Sequence, residues 1–397
     1  MEALRQRGVE ADMLVLEKRL PSRFVHRVVG RWRARIPFLL ERLQIFLGNG
    51  RNRADLFKAD TAAFGVPLHH DPLVTEADVV CLAWINQGML SLGEIKRIMA
   101  LGKPVVWIMH DMWCFTGICH HAGECEGYMH ECGMCPLLGR KASLRDISAG
   151  TLRRKKRLYS KGGITFVAVS NWLRERARGS SLLREARVEV IGNPVPTCVS
   201  LAPLSDKRDH GGSLTVLIAA ARLDDPVKGL PILIDTAARL RLDYPELAER
   251  LKFVAVGALK NPDALKDFPL PLVATGPLDS HELSQLYRRA AIVISTSLYE
   301  TLPGTLVEGQ LHGALPVAFD RGGQSDIITD GVTGVLVPFG DDPAACMAAG
   351  LQRGVEMIDS VPAAELQERL AREALTRFSR TAVADSYINL FNDLLKK

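Results

Sequence analysis

Glu300 and Glu308 are separated by seven residues in the run Ser297-Leu-Tyr-Glu-Thr-Leu-Pro-Gly-Thr-Leu-Val-Glu308. Two acids at that spacing can be a solvated loop carboxylate and a helix-face carboxylate, or acceptors for the vicinal hydroxyls of a ribose or hexose. The residues around them add a second binding element. Ala291 to Ser295 reads as a buried strand, Thr301 to Gly304 as a cap and tight turn with Pro303 in the first helical turn, and 305–312 as a helix closed by Gly313. A helix start at the carboxyl edge of a sheet presents backbone N–H groups that suit a phosphate. One sugar nucleotide would use both elements.

A second constellation is His110-Asp111-Met-Trp113-Cys114-Phe-Thr-Gly117-Ile-Cys119-His120-His121, followed by Cys125, Cys132 and Cys135-Pro136. Five of the eight cysteines fall in this stretch. The spacing of Cys119, Cys125, Cys132 and Cys135 suits four thiolates around one tetrahedral zinc, a closed and therefore structural site. Reduced thiols and disulfides are the alternatives, and His120, His121 or His130 could replace one cysteine. Disulfides fit a chain without a secretion signal least well.

The elements that must position these groups alternate along the chain. In the second half, strands over 214–220, 252–256, 272–275, 291–295, 315–319 and 335–337 alternate with helices over 230–242 and 281–289, which argues for a parallel doubly wound sheet. In the first half, short strands are expected over 12–17, 79–83, 105–109, 165–169 and 188–191. A length of 397 residues exceeds a usual single core. The expected division is 1–200 as one domain with the Cys-rich insert at 110–138, a linker at 201–212, a second domain at 213–380 and a terminal helix at 381–397. Hydrophobic residues make up 47% and charged residues 24%, the balance of a globular protein and not of a disordered tail. Apolar runs are too short to cross a bilayer and the first residues are charged, so a cytoplasmic location is expected.

Further residues carry a resemblance. Ala219-Ala-Ala-Arg222, Lys228-Gly229, the Glu300 to Glu308 run, Gly313-Ala-Leu-Pro-Val-Ala-Phe319, Gly322-Gly323 and Asp330-Gly331-Val-Thr-Gly334-Val-Leu-Val337 together resemble the donor-binding half of the family-4 retaining glycosyltransferases. His110-Asp-Met-Trp113, Thr116-Gly-Ile-Cys119 and the later Cys132-Gly-Met-Cys135-Pro are similar to a subgroup that builds bacterial surface polysaccharides of the colanic-acid type. Val80 to Asn86, Gly102 to Trp107, Arg153 to Arg157, Val169 to Trp172 and Val190 to Pro194 extend that match. The resemblance implies an α/β GT-B fold of two facing Rossmann-like domains and retaining transfer of a sugar from a nucleotide-sugar co-substrate to a glycan or lipid-linked acceptor.

It implies roles as well. Arg222 and Lys228 would hold the diphosphate, Leu302 and Gly304 would offer N–H groups to it, Glu308 would bind the ribose, and Glu300 would stand near the transferred sugar. His110 would reach the donor across the cleft, or serve as a structural histidine. No catalytic metal is expected, because Asp224-Asp225 and Asp341-Asp342 are adjacent pairs in polar turns.

The front of the chain departs from the pattern. Met1 to Gly8 resembles the tail of a first helix, so the opening strand and glycine-rich turn are missing and a truncated start is expected. Between Lys18 and Arg42, eight Lys or Arg face one acid and are interleaved with Phe24, Val28, Val29, Trp32, Ile36, Phe38 and Leu39. This reads as an interfacial helix for an anionic leaflet, or as an ordinary helix with a wet basic face, either one interrupted at Pro37. Nucleic-acid binding would rest on charge alone, and a net charge of +5 is mild. A sugar-nucleotide epimerase and a non-catalytic nucleotide, zinc or membrane binder are the competing readings.

Overall fold

A computed structural model of the chain describes residues 1–19, 21–195 and 212–396. The expected linker at 201–212 therefore lies almost wholly outside the described residues. The chain divides into two compact units, Met1–Ile191 with Ala384–Lys397, and Gly192–Val383.

Unit 1 runs α1 (Glu2–Gln6), β1 (Met13–Val15), β2 (Val25–Arg27), α2 (Arg31–Gly48), α3 (Pro72–Thr75), β3 (Val80–Ala83), α4 (Leu92–Met99), β4 (Val105–Met109), α5 (Ile147–Tyr159), β5 (Ile164–Ala168), α6 (Asn171–Gly179) and β6 (Val188–Val190). Strands β3-β4-β5-β6 form a parallel sheet in sequence order, while β1 and β2 pair with each other in a separate parallel sheet. The strand beginning near Asp12 thus does not join the main sheet. Aromatic packing centres the core: Trp107 of β4 stacks on Phe166 of β5 with centroids 6.0 Å apart and meets the edge of Tyr159 of α5. Ser91, Asp146 and Ser170 cap α4, α5 and α6 by accepting first-turn N–H groups.

The basic stretch folds differently from expectation. Residues 18–42 are not one helix: Val25–Arg27 extends as β2, and α2 starts only at Arg31 and continues to Gly48. Pro37 does not interrupt α2 but lies inside it. Its ring removes one backbone hydrogen bond, to the carbonyl of Arg33. Packing outweighs that loss, since α2 buries Glu41, Arg42 and Ile45.

Unit 2 runs β7 (Leu214–Arg222), α7 (Leu230–Asp243), α8 (Pro245–Arg250), β8 (Leu251–Ala258), β9 (Leu272–Gly276), α9 (Ser280–Arg289), β10 (Ile292–Ser295), α10 (Gly304–Leu311), β11 (Leu315–Phe319), β12 (Val335–Val337), α11 (Pro343–Ser360) and α12 (Ala363–Phe378). A last helix, α13 (Arg380–Leu395), passes into unit 1 from Ala384 onward. All six strands are parallel, in the order β12-β11-β10-β7-β8-β9. Every residue of β10 and β11 is buried. This explains why these strands are unbroken apolar runs: helices cover both faces of a parallel sheet. The chain winds outward from β7 through β8 to β9, then returns to the other side of β7 as β10. A topological switch point lies between β7 and β10, where α/β sheets open a crevice at their carboxyl ends.

Candidate functional site

The crevice of unit 2 collects residues from three loops, those after β7, β10 and β11. β7 ends in Arg222, and a single 3₁₀ turn, Pro226–Lys228, follows before α7. Asp225 caps that turn by accepting the Val227 N–H. The turn is tied to the loop after β10: the Leu298 N–H donates to the Val227 carbonyl at 2.8 Å, and the Thr296 hydroxyl donates to the Lys228 carbonyl at 3.0 Å. Gly229 has φ 67°, and a Cβ there would lie 2.2 Å from the Thr296 carbonyl oxygen. Only glycine permits this approach.

That lacing brings Lys228 and Glu300 together. Lys228 Nζ donates to Glu300 Oε1 at 2.5 Å, with the side chains 35% and 19% exposed. Glu300 is fixed from behind by the loop after β11, since its carbonyl accepts the Gly323 N–H at 2.8 Å and its backbone bridges Gly322. Arg222 is not part of the pair. Its guanidinium, half exposed, bonds Asp225 at 2.7 Å and lies 3.6 Å from Asp224.

α10 begins directly beyond Glu300. Leu302 is buried, Pro303 is the residue before the helix, and Gly304 opens it at an exposed position. The first-turn N–H groups of a helix have no intrahelical acceptor, and they sit at the positive end of its dipole. Glu308 follows one turn on. Burial raises its carboxyl above the ordinary range, while the neighbouring Tyr287 hydroxyl acts in the opposite direction. The helix end is held through His312, whose Nδ1 pairs with the Glu308 carbonyl at 2.8 Å and whose Nε2 pairs with the Ser284 hydroxyl at 2.9 Å.

In unit 1, His110 lies just past β4 in a cleft with Trp84, Asn86 and Asp111. Its ring reaches solvent, yet the surrounding protein holds the imidazole below its ordinary pKa, with the Asp111 charge acting against that. Asp111 is held by His120, and no signal in the spacing marks this partnership. His120 pairs through Nδ1 with Asp111 and through Nε2 with Asp60, each at 2.7 Å. Burial opposes the charge on His120, but the bonds to the two carboxylates prevail and push it up to about 9. Asp60 in turn pairs with buried Arg42 of α2.

The structure does not support the zinc expectation. Among the described residues no group of three or more His, Cys, Asp or Glu side chains is arranged to hold a metal ion. Cys119, Cys125, Cys132 and Cys135 are free thiols in one loop region, close enough to perturb one another electrostatically. Burial pushes Cys119 and Cys132 up to about 11 and Cys135 up to about 12. Protein groups organise the loop instead. Asp146 accepts the N–H groups of Cys135 and Ser143, and the fully buried Lys155 donates to the carbonyls of Trp113 and Thr116.

Two α/β units with parallel sheets, one with a crevice at its switch point, define the GT-B architecture. Solved structures agree over most of the chain. Anabaena HepE in complex with UDP matches with a TM-score of 0.55 at 18% identity, covering 81% of this chain and 82% of that one. Sucrose-phosphate synthase from Thermosynechococcus elongatus matches with a TM-score of 0.56 at 16% identity, covering 81% and 74%. Residues 215–354, all in unit 2, match the family "Glycosyl transferases group 1". The chain is similar to the D-inositol 3-phosphate glycosyltransferase of Stackebrandtia nassauensis, 30% identical over 46% of this chain and 42% of the relative. It is also similar to that of Streptosporangium roseum, 34% identical over 32% of each. The chain thus spans well under half the length of these curated relatives.

Proposed function

We propose that the chain is a retaining glycosyltransferase that takes a sugar from a nucleotide-sugar donor and passes it to a glycan or lipid-linked acceptor in surface polysaccharide assembly. The observation that carries this reading is the Lys228–Glu300 pair at the switch point, beside the start of α10. It lies inside the segment that matches the glycosyltransferase family. The HepE complexes with UDP and UDP-glucose add support for a nucleotide-sugar donor on this fold.

As the glycosidic bond breaks, negative charge grows on the departing diphosphate, and groups that meet it there lower the barrier. Lys228 suits that task because an ammonium has three donors. One can stay on Glu300 and orient it toward the sugar while the others meet phosphate oxygens. Arg222 adds a second cation, and Leu302 and Gly304 the backbone N–H groups. Glu308 is the acceptor for the ribose hydroxyls. In unit 1, His110 is assigned as the group that meets the substrate. The acceptor hydroxyl attacks on the face the diphosphate leaves, so no enzyme nucleophile is required.

We also propose a seat on an anionic membrane surface. Ile36, Leu39, Leu43 and Leu47 lie on one stripe of α2 and are each more than half exposed, near the exposed Arg33 and Arg35. No helix among the described residues is long and apolar enough to cross a membrane, so the contact would be peripheral. Sedimentation with phosphatidylserine vesicles should fall several-fold in Leu39→Asp/Leu43→Asp, and unchanged sedimentation would dispose of the contact.

The test of the central reading is a thermal-shift screen against UDP-, GDP- and ADP-sugars. At least one should raise the melting temperature, and Glu308→Gln should reduce that rise. No shift with any nucleotide sugar would sink the assignment.

A further inference from the structure

Four charges alternate through unit 1 behind the turn that carries His110: Arg42, Asp60, His120 and Asp111. Proton accounting fixes their signs. Asp60 pairs with the Arg42 guanidinium and takes the Gln87 N–H at 3.4 Å, while Asp111 takes the Trp113 N–H at 2.8 Å, so both serve as acceptors. An ionised carboxylate has no proton to give. Each nitrogen of the His120 ring meets one of these carboxylates at 2.7 Å and must donate to it, which makes the ring an imidazolium.

The same residue ties down the backbone of the turn. The His120 carbonyl accepts the Met112 N–H at 2.9 Å, and its own N–H donates to the Lys58 carbonyl at 3.2 Å. The Trp113 indole N–H donates to the Asp60 carbonyl at 2.7 Å. The side chains of Asp60, His120 and Asp111 are only 0%, 12% and 13% exposed. Ions buried in this way contribute little net stability, because desolvation offsets their attraction, but they do hold one geometry.

His110 is where that geometry has an effect. Its ring reaches solvent in the cleft beside Asp111. A bare Asp111 carboxylate would draw a proton onto the neighbouring imidazole, and a cation bonded to that carboxylate cancels the pull. His121, Lys155 and Cys114 also face Asp111, and Glu41 and Arg42 face Asp60 from α2.

We infer that His120 is a positioning residue for His110: clamped between Asp60 and Asp111, it fixes the 110–113 turn and offsets the Asp111 charge, so that His110 faces the cleft as a neutral imidazole. That His110 then meets substrate rests on the transferase reading. The coupling of His120 to His110 does not.

The test uses the full chain with isotope-labelled histidine and follows the His110 ring by NMR from about pH 5 to about pH 9, the range in which histidine titrates. Its signal is assigned by its loss in His110→Asn. In His120→Gln, which keeps N–H donors but carries no charge, the His110 midpoint should move up. In His120→Gln/Asp111→Asn it should return to the parent's value or below, since the carboxylate is gone too. A merely structural His120 would lower the melting temperature and leave the His110 midpoint in place. With a nucleotide sugar that shifts the protein, His120→Gln should slow transfer by roughly 10- to 100-fold, the scale of a misplaced reacting group. The donor KM should change little, and the acidic limb of the rate profile should move up with His110. The parent gives a second check that does not depend on a variant's folding: both His120 ring N–H groups should be present at about pH 7.5, as two carboxylate acceptors require. An unmoved His110 midpoint in folded His120→Gln, or a His120 ring with a single N–H in the parent, would each overturn the inference. If the midpoint moves as expected but no nucleotide sugar shifts the protein, the transferase reading falls and the clamp stands. If nucleotide sugars bind and His120→Gln transfers at the parent's rate with His110 unmoved, the clamp alone falls.

Discussion

Lys228 and Glu300 divide the labour of the unit 2 crevice between an ammonium and a carboxylate that already touch. Because Glu300 is oriented by that contact, Glu300→Gln should leave nucleotide affinity nearly intact and slow transfer by roughly 100-fold or more, the scale of losing one preorganised polar group in a transition state. Glu308→Gln should do the opposite. It should weaken nucleotide binding by about tenfold, the worth of one hydrogen bond to a charged acceptor, with a smaller effect on the rate at saturation. Calorimetry of binding beside initial-rate measurements separates the two, and equal, negligible effects would refute both roles. Gly322 tests the backing of Glu300. A Cβ at Gly322 would lie 2.2 Å from the Glu300 carbonyl oxygen and 2.8 Å from its nitrogen, so the backbone must move. Gly322→Ala should cost about 1–3 kcal/mol, the usual cost of overpacking, and should impair transfer as Glu300→Gln does. A variant as stable and as active as the parent would show that the loop after β11 is not what positions Glu300.

Helix α2 carries opposite demands on its two faces: an exposed apolar stripe outward, and inward the acid Glu41, buried completely. Burial first, then the charge of Asp60, push the Glu41 carboxyl up to about 7, against Arg42 and the N–H groups of Ala62 and Thr61. The sign of the consequence follows from proton linkage. A carboxyl whose folded pKa lies above its unfolded value binds its proton more tightly when folded, so its contribution to stability falls as pH rises from about 4.5 to about 7. Glu41→Gln cannot titrate. Its stability relative to the parent should therefore improve steadily between pH 5 and pH 7.5 and level off beyond. Urea denaturation across that range measures the difference, and a flat difference would show that Glu41 ionises normally. α2 also marks a limit of pattern reading. Phe24, Val28 and Val29 fit an apolar stripe with Ile36 and Leu39, yet Val25–Arg27 pairs with β1 instead. A short amphipathic segment satisfies helix and strand periods alike, and the available ladder partner decides between them.

At the scale of the whole molecule, ligand binding should be read locally. Hydrogen exchange with saturating UDP should slow most at 222–229 and 300–308, because binding to the folded state alone lowers the frequency of opening where the ligand sits. Protection that avoids both segments would place the nucleotide elsewhere. Much of unit 2 was legible in the chain alone: 315–319 and 335–337 are strands at the expected residues, and α7, α9 and α10 start and stop within a residue or two of expectation, whereas α11 and α12 were not anticipated. Their legibility is physical, because parallel strands covered on both faces must be continuous apolar runs, and glycines must fall where the backbone reverses. The alternation argued for a parallel doubly wound sheet, and the GT-B architecture was what the resemblance of its motifs implied. The sequence by itself thus determined where strands, helices and tight turns form, since these answer to local periodicity and capping. Tertiary structure alone decided which side chains meet. Lys228 reaches Glu300 across 72 residues and His120 reaches Asp60 across 60, because strand order folds distant loops onto one edge. The same through-space packing left β1 and β2 outside the main sheet and buried the Asn86 amide nitrogen without a partner. Spacing along the chain carries no information about such distances, which are set by the order in which strands join and by what fills the space between them.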